Sequence, residues 1–277
     1  MKSLGKVSPS PMMDAAMTAT IYEHECELNR VPEVTLDFWL IKIMAVTMGE
    51  TAADYLAVNL GLGLTVTALI MGGILIVALV LQFARKRYVP WAYWLAVVLI
   101  SIVGTLVTDN LVDAFGIRLE TATIVFSVVL ALTFMVWYAR EKTLSIHTIF
   151  TTRREIFYWL AILFTFSLGT AAGDLVAERF DLCYLTTGLI FGGLVAAIAF
   201  AHFFLGLNGI LAFWLAYILT RPFGASLGDL LAQPVEHGGM GFGTTFTSLS
   251  FLGCIVTIVL YMTLKSLIDE DEQALLD

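Results

Sequence analysis

The sequence predicts an all-α integral membrane protein with eight transmembrane helices. Two observations lead to this fold class, an apolar composition and a motif that occurs four times. Apolar residues make up 59% of the 277 residues, charged residues make up 14%, and the mean hydropathy is +0.87. Soluble domains contain about 45–50% apolar and about 25% charged residues, so the composition argues against a large soluble domain.

Eight apolar runs approach the roughly 20 residues that a helix needs to cross the hydrocarbon core of a bilayer. The first run is the least typical, because it carries Asp37, Lys42, Glu50 and Asp54. The third, fourth, sixth and eighth runs are the clearest. The predicted spans are 34–56, 61–83, 90–112, 120–139, 156–177, 183–204, 210–232 and 246–267.

The distribution of Lys and Arg predicts the orientation of these spans. Eleven of the fifteen lie on one side, which the excess of positive charge indicates to be cytoplasmic. With an even number of spans, both termini are then cytoplasmic: an N-terminal segment 1–33 and an acidic tail 268–277 flank the membrane domain 34–267. The eleven are Lys2, Lys6, Arg30, Arg85, Lys86, Arg87, Arg140, Lys142, Arg153, Arg154 and Lys265.

Several classes of function and cofactor are disfavoured by the composition. A net charge of -8 argues against a nucleic-acid partner, which would need a basic face. Cys26, Cys183 and Cys254 are too far apart in sequence to indicate a disulfide framework or a zinc site. Residues 1–33 contain no continuous apolar run, so no cleavable signal peptide is predicted. No cofactor is predicted.

An internal repeat dominates the sequence. An aromatic residue followed by Trp occurs four times, and in each copy a glycine follows ten residues after the Trp and an aspartate five residues after the glycine. Chance does not account for four copies at constant spacing. The repeated residues are Trp39, Trp94, Trp159 and Trp214, then Gly49, Gly104, Gly169 and Gly224, then Asp54, Asp109, Asp174 and Asp229.

The repeats form a duplicated pair, because the two halves of the chain match at an offset of 120 residues. Each repeat contributes two spans, so all four repeats have the same orientation across the membrane. Parallel repeats of this kind predict a pseudo-symmetry axis along the membrane normal. The predicted repeats are 34–84, 90–139, 156–204 and 210–267.

These residues resemble those of a family of bacterial multi-pass "membrane-anchored" proteins, built from four tandem two-helix repeats of unknown function. The stretch from Asn29 to Trp39 and the stretch from Gly49 to Asp54 carry the closest resemblance. The resemblance implies a multi-pass protein of the bacterial inner membrane. It implies no activity, so the function has to be argued from the residues.

Helical geometry places a polar ladder on each odd-numbered span. The residue after each glycine lies one turn before the aspartate, on the same face of the helix, and these residues are Glu50, Thr105, Thr170 and Ala225. Four such ladders around one axis would bring four carboxylates to one depth, roughly 22 Å along the helix from the Trp. Unpaired carboxylates in a membrane cost at least ~2.5 kcal/mol each, so a cation, shared protons or basic partners must relieve them.

Each of these features also has a structural interpretation. The aspartates could cap broken helices, bond to a neighbouring repeat or sit solvated at the outer interface. The Trp residues fit anchors at the cytoplasmic membrane interface. The glycines, each with a small residue four positions later, fit close helix packing. Arg221 could form a salt bridge with Glu50 across the bundle, or act in gating, and Lys42 could extend to the cytoplasm.

The favoured function is a transporter or channel for a small cation, such as Mn or Mg, or for a proton-coupled solute. The expected pathway residues are Glu50, Asp54, Asp109, Asp174, Asp229, Thr105 and Thr170, with Lys42 and Arg221 as basic partners and the four aspartates as a candidate metal site. The alternative is a membrane scaffold or regulator. An intramembrane aspartyl protease is disfavoured because Asp174 and Asp229 lack the first glycine of its Gly-x-Gly-Asp pattern, so no enzyme activity is predicted. The expected partners are the lipid bilayer and the cation.

Overall fold

The computed structural model describes the backbone of residues 29–276 and the side chains of residues 29–268, and this part of the chain contains eight α-helices and no strand. Most of the predicted N-terminal segment, with Lys2, Lys6 and Cys26, lies outside the described residues. The helices are α1 Leu36–Asp54, α2 Leu64–Phe83, α3 Pro90–Asp109, α4 Leu119–Glu141, α5 Thr152–Arg179, α6 Tyr184–Leu205, α7 Gly209–Ala232 and α8 Thr244–Leu276.

The helix bounds agree with the predicted spans to within a few residues, except at the C-terminus, where α8 continues through most of the predicted acidic tail. The odd-numbered helices begin at specific caps. Thr35 and Thr151 accept backbone N–H groups of the first turns of α1 and α5, Asn208 does so for α7, and α3 begins with Pro90. These residues satisfy or remove N–H groups that a helix start leaves without partners.

In the first two repeats the aspartate ends the α-helix and a π-helical turn follows. The turns are Tyr55–Asn59 after Asp54 and Asn110–Ala114 after Asp109. Asn110 donates its side-chain amide to the Leu106 carbonyl at 2.7 Å, which stabilises the wider turn. In the other two repeats the α-helix continues past Asp174 and Asp229. The sequence pattern did not predict this difference between the two pairs of repeats.

The four odd-numbered helices form a closed ring, and the repeated glycines lie at its contacts. A Cβ at Gly49 would meet Ser101 of α3, and one at Gly104 would meet Phe166 of α5. The next two contacts continue the ring: Gly169 faces Arg221 of α7, and Gly224 faces Val46 of α1. Each contact joins one repeat to the next, so the prediction that these glycines serve packing is confirmed.

The even-numbered helices form an outer layer, each packed on the odd helix of the next repeat: α2 on α3, α4 on α5, α6 on α7 and α8 on α1. Seven helices among the described residues are long and apolar enough to cross a membrane. Within them the even helices are 6–22% buried, against 50–72% for α3, α5 and α7. The remaining helix, α1, is more polar but lies in the inner ring.

Candidate functional site between the odd-numbered helices

The inner ring is filled by layers of side chains spaced four residues apart along the odd helices. Three layers are buried, and a fourth contains Glu50 at the level of Thr105, Thr170 and Ala225. The aspartates follow one turn later, at the end of the ring opposite the Trp residues. From the Trp end, the three buried layers are Phe38, Tyr93, Tyr158 and Phe213; Lys42, Val97, Ile162 and Tyr217; and Val46, Ser101, Phe166 and Arg221.

Arg221 of α7 and Glu50 of the neighbouring helix α1 form an ion pair, as one of the two sequence interpretations expected. Arg221 Nη2 donates to Glu50 Oε2 at 2.6 Å, and the arginine side chain is fully buried. Thr105 joins the pair: its hydroxyl donates to Glu50 at 3.2 Å and accepts from Arg221. Thr170 instead donates to the Phe166 carbonyl of its own helix. The pair thus links three repeats.

Arg221 is only partly satisfied by this network. Its Nε and Nη1 atoms are buried and have no hydrogen-bond partner among the described residues. Its guanidinium carbon lies 5.8 Å from the centre of the Phe166 ring, which provides a weaker cation–π contact. One carboxylate therefore balances a guanidinium that has the donors for at least two.

Lys42 is fully buried, so the alternative in which it extends to the cytoplasm is not realised. Its ammonium group donates to the Tyr217 carbonyl at 2.8 Å and to the Thr220 hydroxyl, and it lies 4.1 Å from the centre of the Tyr217 ring. No ion pair joins Lys42 to a carboxylate among the described residues. Lys42 is too far from Glu50 to pair with it, because it lies two layers nearer the Trp end of the ring, next to helix α7.

The four repeated aspartates converge at one end of the ring. Each lies within electrostatic range of Glu50. Asp109 and Asp229 are both also within range of Asp54 and Asp174. All four side chains are partly buried.

None of these carboxylates forms a hydrogen bond or an ion pair with any described residue. The structural alternatives, in which each aspartate caps a helix or bonds to the next repeat, are therefore not realised in this part of the chain. At the predicted metal site, no three His, Cys, Asp or Glu side chains between residues 29 and 268 are grouped to hold a metal ion. The aspartates lie close enough to repel one another, but they are not grouped around one position that a bound ion would occupy.

The Trp end of the ring is closed by an aromatic cluster. Tyr93 and Tyr158 lie at its centre, with their hydroxyl oxygens 2.6 Å apart. Three repeated tryptophans, Trp94, Trp159 and Trp214, are 1–4% exposed and pack on these rings and on their neighbours. For these three, the prediction of interfacial anchors is wrong, because the ring of helices encloses them in the protein interior. Trp39 is half-buried.

A polar cluster beside this aromatic plug was not predicted. Glu155, fully buried, accepts from Arg30 at 2.7 Å, from Gln82 at 3.1 Å and from Trp159 at 3.4 Å. Asn29 ties the same region together, since its carbonyl accepts from the Tyr88 backbone and its amide donates to the Ile146 carbonyl. The sequence did contain a signal for this cluster, because Glu155 lies four residues before Trp159, about one helical turn outside the repeated motif.

The comparisons with known proteins agree with the internal repeat. A family model described as Repeat of Unknown Function (DUF347) matches four stretches, residues 38–88, 92–143, 157–207 and 212–266. Each stretch corresponds to one of the four repeats, and together they cover most of the chain. Neither the curated proteins nor the solved structures contain a match.

Proposed function

Because the chain belongs to the family built from this Repeat of Unknown Function, whose name assigns no activity, we propose its function from the geometry. The protein moves a small cation, or a solute coupled to a cation, across a membrane. The pathway runs between α1, α3, α5 and α7, with Asp54, Asp109, Asp174, Asp229 and Glu50 along it. The observation that carries this proposal is the convergence of four aspartates that have no partner among the described residues.

All eight helices cross the bilayer in this proposal, with the axis of the ring along the membrane normal. The tie between Asn29 and Tyr88 supports a crossing by α1, because it brings the start of α1 to the same end as the loop after α2. The charges of α1 do not argue against this, since Lys42 and Glu50 face the other helices. The membrane is the bacterial inner membrane, with the Trp end and both termini on the cytoplasmic side.

The electrostatics favour a positively charged cargo. Carboxylates without partners at membrane depth are costly, and placing several at one level adds mutual repulsion. An entering cation relieves both costs, and rings of acidic side chains are an established way to select cations. Because no metal-binding group is assembled, we expect a proton shared between carboxylates, or a hydrated ion such as Mg²⁺, which keeps several of its waters.

The closed Trp end indicates a transporter rather than an open channel. The aromatic cluster and the Glu50–Arg221 pair fill the axis on the cytoplasmic side of the aspartates, and their side chains are buried. A cation that reaches the aspartates can therefore continue only if these layers rearrange. Binding of a proton or cation near Glu50 would weaken its pairing with Arg221, which couples cargo to that rearrangement.

The test is ion flux into proteoliposomes, screened with Mn²⁺, Mg²⁺, Ca²⁺ and a proton gradient. We expect wild-type protein to transport at least one of these ions, and Asp109→Asn and Asp174→Asn to abolish the flux while the protein stays folded. Asp37→Asn is the control, because Asp37 is an exposed carboxylate in the first turn of α1, at the end of the ring opposite the repeated aspartates. Its flux should equal that of wild type.

Two results would contradict the proposal. Flux that persists in folded Asp109→Asn and Asp174→Asn variants would exclude the carboxylate pathway. No flux of any cation by wild-type protein, together with loss of assembly in both variants, would favour the scaffold or regulatory role instead.

A further inference from the structure

A cavity of about 760 Å³ lies at the Trp end of the molecule, away from the aspartates. Its walls come from α6, from the first two turns of α7, from the start of α1 and from the loop that follows α4. Most of the lining is apolar, and it includes Trp39, Ala199 and Ala212. None of the residues that line it is acidic.

The repeat symmetry explains why this space is empty of side chains. Counting from the Trp of each repeat, Ala199, His202 and Ala212 correspond to Phe134, Trp137 and Phe157 one repeat earlier. There the three aromatic residues fill the equivalent space between α4, α5 and α7. Phe134 packs on Trp214 with ring centres 4.8 Å apart, and Trp137 stacks on Phe157 at 6.3 Å. Two alanines and a histidine leave that volume open in the later repeat.

The cavity opens on the outer side of the bundle. Helix α6 is the least buried of the candidate spans, at 6%. Phe203, which lines the cavity, is 77% exposed, and Leu36 on the opposite wall is 83% exposed. An apolar opening between such helices faces the acyl chains of the surrounding bilayer once the protein is inserted.

The mouth of the cavity carries hydrogen-bond donors and lies beside positive charge. His147 and Asn208 line it and are exposed. Arg140 and Lys142, also exposed, flank Glu141 at the end of α4, just before the lining loop, and Glu141 is itself paired with Arg153 and Arg154. Glu33 and Asp37 flank the α1 wall, so an anionic group is expected at the α4 side. Basic pockets between transmembrane helices on the cytoplasmic side are a recurrent way to hold anionic lipid headgroups.

We propose that this cavity binds one anionic phospholipid of the bilayer. An acyl chain occupies the space that Phe134, Trp137 and Phe157 fill one repeat earlier, and the headgroup lies against Lys142, His147 and Asn208. Since acyl chains gain no hydrophobic energy by moving from lipid to protein, packing contacts in the cavity and the headgroup charge provide the preference. The site is independent of the aspartate pathway, so its test does not depend on transport.

The test uses the full chain purified in mild detergent, delipidated, and titrated with phosphatidylglycerol or phosphatidylcholine. Native mass spectrometry then counts the lipids bound to each chain. We expect wild-type protein to retain one phosphatidylglycerol and no phosphatidylcholine. The variant A199F/H202W/A212F restores the side chains of the earlier repeat, fills the cavity and loses the lipid. Ala197→Phe, on the exposed side of α6 outside the cavity, is the matched control and retains it.

The wild-type measurement can overturn the proposal by itself, whatever the fold of the triple variant. Equal retention of the two lipids, or of neither, excludes an anionic lipid site. Retention by a folded triple variant at the wild-type level excludes this cavity. The milder Ala199→Leu, expected to weaken retention, covers the case in which the triple variant does not fold. Two further outcomes would overturn the proposal. Lipid retained only after removal of residues 2–24 would show that the N-terminal segment occupies the cavity. A dimer that the triple variant abolishes would show that a second copy of the chain occupies it.

Discussion

At the scale of single residues, the buried Arg221 has one ion-pair partner among the described residues. Arg221 is fully buried, and two of its three nitrogens have no partner among the described residues. Removing a guanidinium from water is expensive, and the cost is recovered only through good pairing. Glu50 and Thr105 provide that pairing for one nitrogen only. The ion pair with Glu50 is therefore needed to offset the burial of Arg221, although it satisfies only one of the three guanidinium nitrogens.

Glu50→Gln should lower the free energy of unfolding by about 3–5 kcal/mol, because it leaves a buried charge without a counter-charge. The double variant Glu50→Gln/Arg221→Met should regain most of that stability, since both charges are then gone. Equilibrium unfolding by SDS titration in mixed micelles measures both. Glu120→Gln is the control: it removes the partner of exposed Arg118 and should change stability by less than about 1 kcal/mol. A double variant no more stable than Glu50→Gln would contradict this interpretation.

The repeated glycines determine how closely neighbouring elements approach. Gly104 allows α3 to lie against α5 so closely that a Cβ would be 2.7 Å from the Cβ of Phe166. Gly73, on the outer helix α2, has no neighbour within 4 Å of such an atom. Both are glycines in apolar helices, and only the first lies at a helix contact. Sequence spacing separates them correctly, because only the inner glycines follow a Trp by ten residues.

Gly104→Ala should destabilise the protein by about 1–3 kcal/mol, because the added methyl group overpacks the contact between α3 and α5. Gly73→Ala should leave stability unchanged or raise it by up to about 1 kcal/mol, since alanine restricts the unfolded chain at no steric cost. Thermal unfolding of both variants in the same detergent compares them directly. Equal effects at the two positions would show that the ring contact is not tight in the folded protein.

The number of membrane crossings is a property of the whole molecule, and it determines where the termini lie. Eight crossings put both termini on one side, whereas seven, with α1 left out, put them on opposite sides. The tie between Asn29 and Tyr88 favours eight. We therefore expect reporter fusions at the N-terminus, after Lys142 and at the C-terminus to give the same cytoplasmic signal, and a fusion in loop 60–63 to give the opposite one. Opposite signals at the two termini would reduce the count to seven.

Most of the fold could be predicted from the repeated sequence motif. Constant spacing from Trp to Gly to Asp identified four units, and the apolar runs located eight helices to within a few residues. These features are local, because helix length depends on consecutive apolar residues and close packing depends on glycine at a fixed spacing. The ion pair of Arg221 with Glu50 could be expected as well, since the two residues lie one layer apart in the repeat register.

Only the tertiary structure determined which side chains are buried and which residues they contact. The same motif placed Trp94 in the core rather than at an interface, and left Lys42 enclosed beside Tyr217, because ring closure turns those faces inward. The partner-free state of the aspartates, the buried Glu155 cluster and the cavity beside Ala199 also depend on contacts between residues far apart in sequence. A repeat in sequence specifies equivalent positions, whereas the side chains of neighbouring repeats determine whether each position is filled, paired or open.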